Sequence, residues 1–183
     1  MTKVFIGGSR KMARLNEVIR KRADNIIDKG FWALIGDANG ADKAMQKHFA
    51  ESHYQNVIVF CSGNRCRNNI GNWETRNIQV PSSVKGFDFY TVKDKAMSDE
   101  ADYGFMLWDG ISNGTLNNIL NLVERDKKVV VYFSLTKGFI DLRTLNDVQS
   151  LIAKCPPGVV KNFERKLHLK DRLELSHPKL KFA

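Results

Sequence analysis

Tyr103–Thr115, YGFMLWDGISNGT, is an apolar run that stops at Asp109-Gly110, passes through small polar residues and gives way to a helical pattern. Six consecutive residues of strand character followed by a Gly/Ser/Asn loop read as a buried strand of a parallel sheet. A strand that ends so, just before a helix, places backbone N–H groups where an anion can sit. The first expectation is therefore a ligand that carries phosphate, and with it a nucleotide.

Outward from that stretch, short apolar runs alternate with helical patterns, the mark of an α/β protein built from βαβ units. Lys3–Ile6 reads as the first strand and Gly7-Gly8-Ser9-Arg10 as its turn. Leu15, Val18, Ile19, Ala23, Ile26 and Ile27 recur at helical spacing until Gly30 closes the helix. Phe31–Ile35 reads as the second strand, followed by Gly36-Asp37-Ala38-Asn39-Gly40-Ala41-Asp42 and a helix marked by Ala44, Met45, His48 and Phe49. Asn56–Phe60 is the third strand. Residues 65–83, irregular and rich in Asn and Arg, read as a long functional loop. Phe87–Val92 is expected as a short strand, Lys93–Ala101 as a helical segment, Leu116–Arg125 as a helix, and Val129–Phe133 as the strand that closes the parallel set.

The only boundary falls near Ser134–Gly138. It divides a ligand-binding domain, residues 1–135, from a basic C-terminal extension, residues 136–183, packed on it. In the extension, Leu142–Ala153 reads as an amphipathic helix, Pro156-Pro157-Gly158 breaks it, and Phe163–Leu175 mixes apolar with charged residues.

A chain of 183 residues with 43% hydrophobic content is long enough for one well-buried core. Its net charge of +9 invites a nucleic-acid reading. Residues 137–183 hold 10 Lys/Arg against 5 Asp/Glu, so +5 of the +9 lies in the last quarter of the chain. Three cysteines, Cys61, Cys66 and Cys155, form no CxxC pair, and ordinary thiols in a reduced, cytoplasmic protein are expected. No metal site is expected, since Cys61 and Cys66 lack the further ligands zinc requires. No apolar run approaches the roughly 20 residues of a membrane helix.

Strand ends carry the chemistry. Gly7 and Gly8 let the backbone approach a ligand, and Ser9 or Arg10 can hold a phosphate or ribose; a plain tight turn explains the same residues. In the second loop Gly36 and Gly40 permit unusual backbone angles. Asp37 or Asn39 can bond sugar hydroxyls, and Asp42 fits the cap of the following helix. In the third loop Asp109, Gly110, Ser112, Gly114 and Thr115 surround a helix start, which favours negative charge. His48, Trp32 and Trp73 read as packed residues, and Trp108 as core or pocket rim.

The turn GSR, the loop G-x-x-x-G-x-D, and A-D-x-x-x-x-x-W-D-G-x-S-x-G-T before a helix together resemble the SLOG superfamily. That group includes the LOG proteins, the DprA/Smf proteins and a YpsA/YspA-like branch, to which residues 3–133 are most similar. The resemblance implies a Rossmann-like three-layer sandwich with a central, mainly parallel sheet and a C-terminal helical or irregular extension. It also implies a bound nucleotide or nucleotide derivative, with no further cofactor, and self-association into a homo-oligomer. Arg76-Asn77 is the implied counterpart of an Arg-Asn segment, Met97 with Asp94 borders the implied site, and Arg76, Asn77, Met97, Trp108 and Asn118 are expected at the pocket rim. The dinucleotide fingerprint G-x-G-x-x-G is absent, which excludes the dehydrogenase reading.

Enzyme relatives carry G-T-x-x-E, whose Glu acts on an N-glycosidic bond. Here the segment reads Gly114-Thr115-Leu116-Asn117-Asn118. An amide can be neither nucleophile nor general base, so Asn118 moves the expectation towards a binding or sensor module. One alternative is an N-glycosidic-bond hydrolase or transferase with Asp37, Asp109 or Glu100 in the carboxylate role. Another is nucleic-acid binding through the basic C-terminal region, with Trp73, Arg65, Arg67 and Arg76 contributing from the long loop.

Overall fold

The computed structural model describes residues 1–174. In chain order its elements are β1 (Lys3–Gly8), α1 (Glu17–Asp28), β2 (Trp32–Gly36), α2 (Ala41–Glu51), β3 (Val57–Ser62), β4 (Glu74–Ile78) and α3 (Phe87–Glu100). They continue with β5 (Tyr103–Trp108), α4 (Asn113–Val123), β6 (Lys128–Phe133), β7 (Gly138–Leu142), α5 (Leu145–Ile152), α6 (Pro157–Leu167) and α7 (Leu169–Glu174). The seven strands form one sheet in the order β4-β3-β2-β1-β5-β6-β7, parallel except for β7, which runs antiparallel to β6.

Two cores flank the sheet, as a Rossmann-like sandwich requires. Ile19, Ala23 and Ile26 of α1, with Met45 and Phe49 of α2, cover one face. Met97 of α3, Leu116, Ile119 and Leu120 of α4, Val148 of α5 and Phe163 of α6 cover the other. β1 sits between β2 and β5, and its Phe5 and Ile6 are 1% and 0% exposed. Each such side chain contributes about 1.5–3 kcal/mol by leaving water.

Several elements differ from expectation for physical reasons. Phe87–Val92, expected as a strand, is the first half of α3, whose buried face is Lys93, Met97 and Ser98 rather than an apolar stripe. The long loop 65–83 contains β4. Its sequence ETRNI hides a strand because an edge strand has little of its surface to bury. β7 is likewise a short edge strand, and α5 starts at Leu145, three residues after the expected Leu142, where Thr144 and Asp147 form a capping box. Residues 136–174 therefore add a strand to the sheet and helices to its core. The reading of Phe163–Leu175 as mixed resolves into α6 and α7, with Leu175 and the basic end of the chain outside the described residues.

Cys61 and Cys66, expected as thiols, are joined in a disulfide with Cα atoms 5.1 Å apart, because the turn after β3 folds back over its last residues. Among the described residues no helix is long and apolar enough to cross a membrane.

Candidate functional site

The chain lays β2 on one side of β1 and β5 on the other, so strand order reverses between β1 and β5. Ligands of open α/β sheets bind at the carboxyl ends of strands at such a point. A cleft of about 530 Å³ opens there. Gly7, Gly8, Arg10, Gly36, Asp42, Asp109, Ser112, Gly114, Thr115 and Asn118 line it, which brings together residues of all three loops.

Ser9 stands behind the wall, fully buried. Its hydroxyl donates to Asp109 Oδ1 at 2.9 Å and lies 3.2 Å from Thr115 Oγ1, tying the first turn to the third loop. Asp109 Oδ1 also accepts the N–H groups of Ile111 and Ser112 at 3.0 and 2.8 Å. Two of the N–H groups expected to face a ligand are therefore spent inside the loop. Ser112 caps α4 by accepting from Thr115 N at 3.3 Å. The N–H groups of Asn113 and Gly114 are left, since the first turn of a helix has no internal acceptors and no bond to either is made among the described residues. Gly114 faces open space. One turn further along, Asn118 is 7% exposed, and its Oδ1 is buried with no hydrogen-bond partner. A buried amide oxygen of this kind requires a donor.

The second loop behaves differently from expectation. Asp37 is 1% exposed and committed to Arg67: Oδ2 accepts the Arg67 backbone N–H and Nε, both at 3.0 Å, and Oδ1 accepts Nη2 at 2.6 Å. Burial alone would push this carboxyl up, but the bonds and charge of Arg67 hold it below the usual carboxylate range. Asp37 is thus committed to Arg67 and is not among the residues that line the cleft. Asn39 accepts from Asn68 at 3.2 Å and is part of the same clasp. Gly40 takes φ +88°, and a Cβ there would strike the backbone of Arg10, so it is needed where the first and second loops cross. Gly40 also holds the cap position expected of Asp42.

Asp42 instead forms the floor of the cleft, where its carboxylate accepts from Ala38 N at 3.2 Å. Burial drives its pKa up to about 6, against the pull of Lys93. Lys93 is the residue that sequence reasoning missed. It is 4% exposed, and its Nζ bonds Asp94 Oδ1 at 2.5 Å. Burial opposes its charge, but Asp94 and Asp42 outweigh that and hold its pKa above the usual lysine value. A Lys-Asp pair inside an expected helix reads as a solvated face, and only the fold turns it inward. Gly36 makes room: a Cβ there would run into Asp42 and come within 3.0 Å of Lys93 Nζ.

Phe87 and Tyr90 of α3 form the remaining wall, with Arg67 and Arg10 lying 4.8 and 5.8 Å from the Tyr90 ring centre. The cleft thus offers an anion seat at the start of α4, a charged polar floor, and an aromatic wall flanked by guanidinium groups. It also holds a carboxyl that can exchange a proton near neutrality.

Four expected rim residues are elsewhere. Met97 and Trp108 are fully buried in the core, the Trp108 indole donating to Ser112 O at 3.1 Å. Arg76 pairs with Glu100 across the Phe60 ring, and Asn77 lies beside it on edge strand β4. Gly110, with φ +76°, packs against Leu135 and Phe133 behind the third loop. Trp73 is 7% exposed and donates to Tyr54 O at 2.8 Å, so it is a loop anchor and offers no stacking face.

No protein-family model matches the chain, and no curated protein matches it. Among solved structures it is similar to DNA processing protein A from Helicobacter pylori, described for its single-stranded DNA binding mode. The likeness has a TM-score of 0.54 at 13% identity and covers 88% of this chain and 81% of that one. At this identity the likeness is one of fold: the α/β architecture with a mainly parallel sheet is shared with a protein of the DprA group.

Proposed function

We propose that the cleft binds a nucleotide or nucleotide derivative, and that the chain is a binding module of the SLOG type, in its YpsA/YspA-like branch. The phosphate sits at the N–H groups of Asn113 and Gly114 beside Arg10, the sugar hydroxyls meet Asp42 and Lys93, and the base lies against Phe87 and Tyr90. The observation that carries this reading is Asn118. Its buried, unpartnered amide oxygen stands beside the anion seat, where a ligand hydroxyl or N–H supplies the missing donor.

Thermal shift with AMP, adenosine and inorganic phosphate tests it. AMP is expected to raise Tm, since a ligand at 100 times its Kd adds about 2.7 kcal/mol, and adenosine is expected to do so far less. Gly114→Asp adds a carboxylate at the anion seat, from a position where a Cβ meets no other atom within 4 Å. It is expected to weaken AMP at least tenfold while leaving the free protein as stable as before or slightly more so, an acid in the first turn being favourable. Equal shifts by AMP and adenosine, or no loss in Gly114→Asp, would overturn the reading.

A second reading, binding of single-stranded nucleic acid, is supported by the likeness to the Helicobacter pylori protein, which binds single-stranded DNA, and by the net charge of +9. Of the cations first expected to serve it, Arg67 and Arg76 are paired with Asp37 and Glu100, and Arg172 of α7 is held by Glu124 and Asn117.

A further inference from the structure

At the opposite end of the sheet, beneath the amino ends of β1, β5 and β6, lies a second concavity of about 610 Å³. Its floor is Val4, Phe105 and Val130; one wall is the second half of α1, and the other is the end of β7. Arg22, Lys29, Lys128 and Arg143 converge on this groove from α1, β6 and the end of β7. All four are exposed, and none makes an ion pair among the described residues. Asp141 is the one carboxylate in the lining, and Asp147 lies near Arg143. Elsewhere Arg67, Arg76, Arg125 and Arg172 are each bonded to a carboxylate.

The cations are interleaved with aromatic rings. Tyr103, 43% exposed, opens β5 at the groove, and Phe139, 38% exposed, lies on β7 with Arg22 5.9 Å from its ring centre. Lys29 stands 5.7 Å from the centre of the Phe31 ring. Unpaired cations favour a polyanion by releasing its counterions, and exposed rings beside them favour planar bases over carboxylate side chains.

We infer that this groove is a binding surface for single-stranded nucleic acid, with phosphates on Arg22, Lys29, Lys128 and Arg143 and bases stacked on Tyr103 and Phe139. The inference rests on the single-strand reading above and gives it a surface separate from the nucleotide cleft.

Fluorescence anisotropy with a labelled 15-nucleotide oligothymidylate, titrated at several salt concentrations, tests it, with Tm as the control for folding. Arg22→Glu combined with Lys128→Glu is expected to weaken binding at least tenfold. It should also lower the slope of log affinity against log salt by about 1.4, since each lost single-strand phosphate contact accounts for about 0.7. Tyr103→Ala is expected to weaken binding severalfold with the slope unchanged. Gly114→Asp, in the cleft, is expected to leave oligonucleotide binding as it is. If the wild type binds and the double variant binds within twofold of it, the groove is overturned while the single-strand reading stands. If the wild type does not bind, both fall. If polyglutamate of equal charge displaces the strand as well as unlabelled oligothymidylate does, the groove selects negative charge rather than nucleic acid, and the inference is overturned.

Discussion

The cleft and the groove lie at opposite ends of one sheet and handle charge in opposite ways. In the cleft the two buried or half-buried cations are fixed in position by partners, Arg67 by Asp37 and Lys93 by Asp94, while Arg10 at its mouth is exposed and makes no ion pair among the described residues. In the groove Arg22, Lys29, Lys128 and Arg143 answer to no carboxylate at bonding distance and stand exposed. Fixed, paired charges shape a site for one ligand geometry, whereas unpaired, solvated charges attract any polyanion and do so in a salt-dependent way. The physical origin of the difference is burial. A lysine that is 4% exposed cannot remain unpaired, while an exposed one has water as its partner.

The same substitution in both regions sharpens that comparison. Lys93→Met leaves Asp94 and Asp42 without their cation and is expected to cost about 3–5 kcal/mol, a fall in Tm on the order of 10 °C by calorimetry. Lys29→Met is expected to change stability by no more than about 0.5 kcal/mol. If the two variants melt alike, the buried charge network has been misjudged.

A smaller effect comes from pH. The Asp42 carboxyl has an ordinary pKa of 3.8 and is pushed up to about 6 in the folded protein. Between those values the folded state binds more protons than the unfolded one, so this group's contribution to stability falls as pH rises through the window. The difference is about 3 kcal/mol at most, by the relation of about 1.4 kcal/mol per pH unit. Denaturant titrations from pH 4 to 7 are expected to show that decline in the wild type and a flatter profile in Asp42→Asn. Asp37, held low by Arg67, acts in the opposite sense below pH 4, where protonation removes its stabilisation.

A smaller effect than that of Lys93 or of pH is expected at Asn118. Asn118→Leu keeps the shape roughly and removes a buried acceptor that has no partner, so Tm is expected to hold or to rise by up to about 1 kcal/mol in stability. AMP binding, followed in the same melts, is expected to weaken. A variant that loses stability and keeps its ligand would place the amide in the folding of α4 rather than in the cleft.

The sequence by itself determined the alternation of strands and helices, because apolar runs such as Tyr103–Trp108 and Val129–Phe133 are buried on both faces and carry their own signal. It also determined most of the cleft's glycines and hydroxyls, which cluster in three short loops. Tertiary structure alone decided the edges and the charges. β4 and β7 bury too little to leave an apolar pattern, and Phe87–Val92 shows apolar residues that α3 spreads around its turns. Asp37 and Asp109, legible as free carboxylates, became the acceptors that hold Arg67 and the third loop. Lys93, written among solvated residues, became the buried cation of the floor. A side chain's polarity is local, but its surroundings are set by chain segments far away in sequence: Asp37 meets Arg67, Lys93, bonded to its neighbour Asp94, is buried beside the charge of Asp42, and the four cations of the groove have no carboxylate within bonding distance among the described residues.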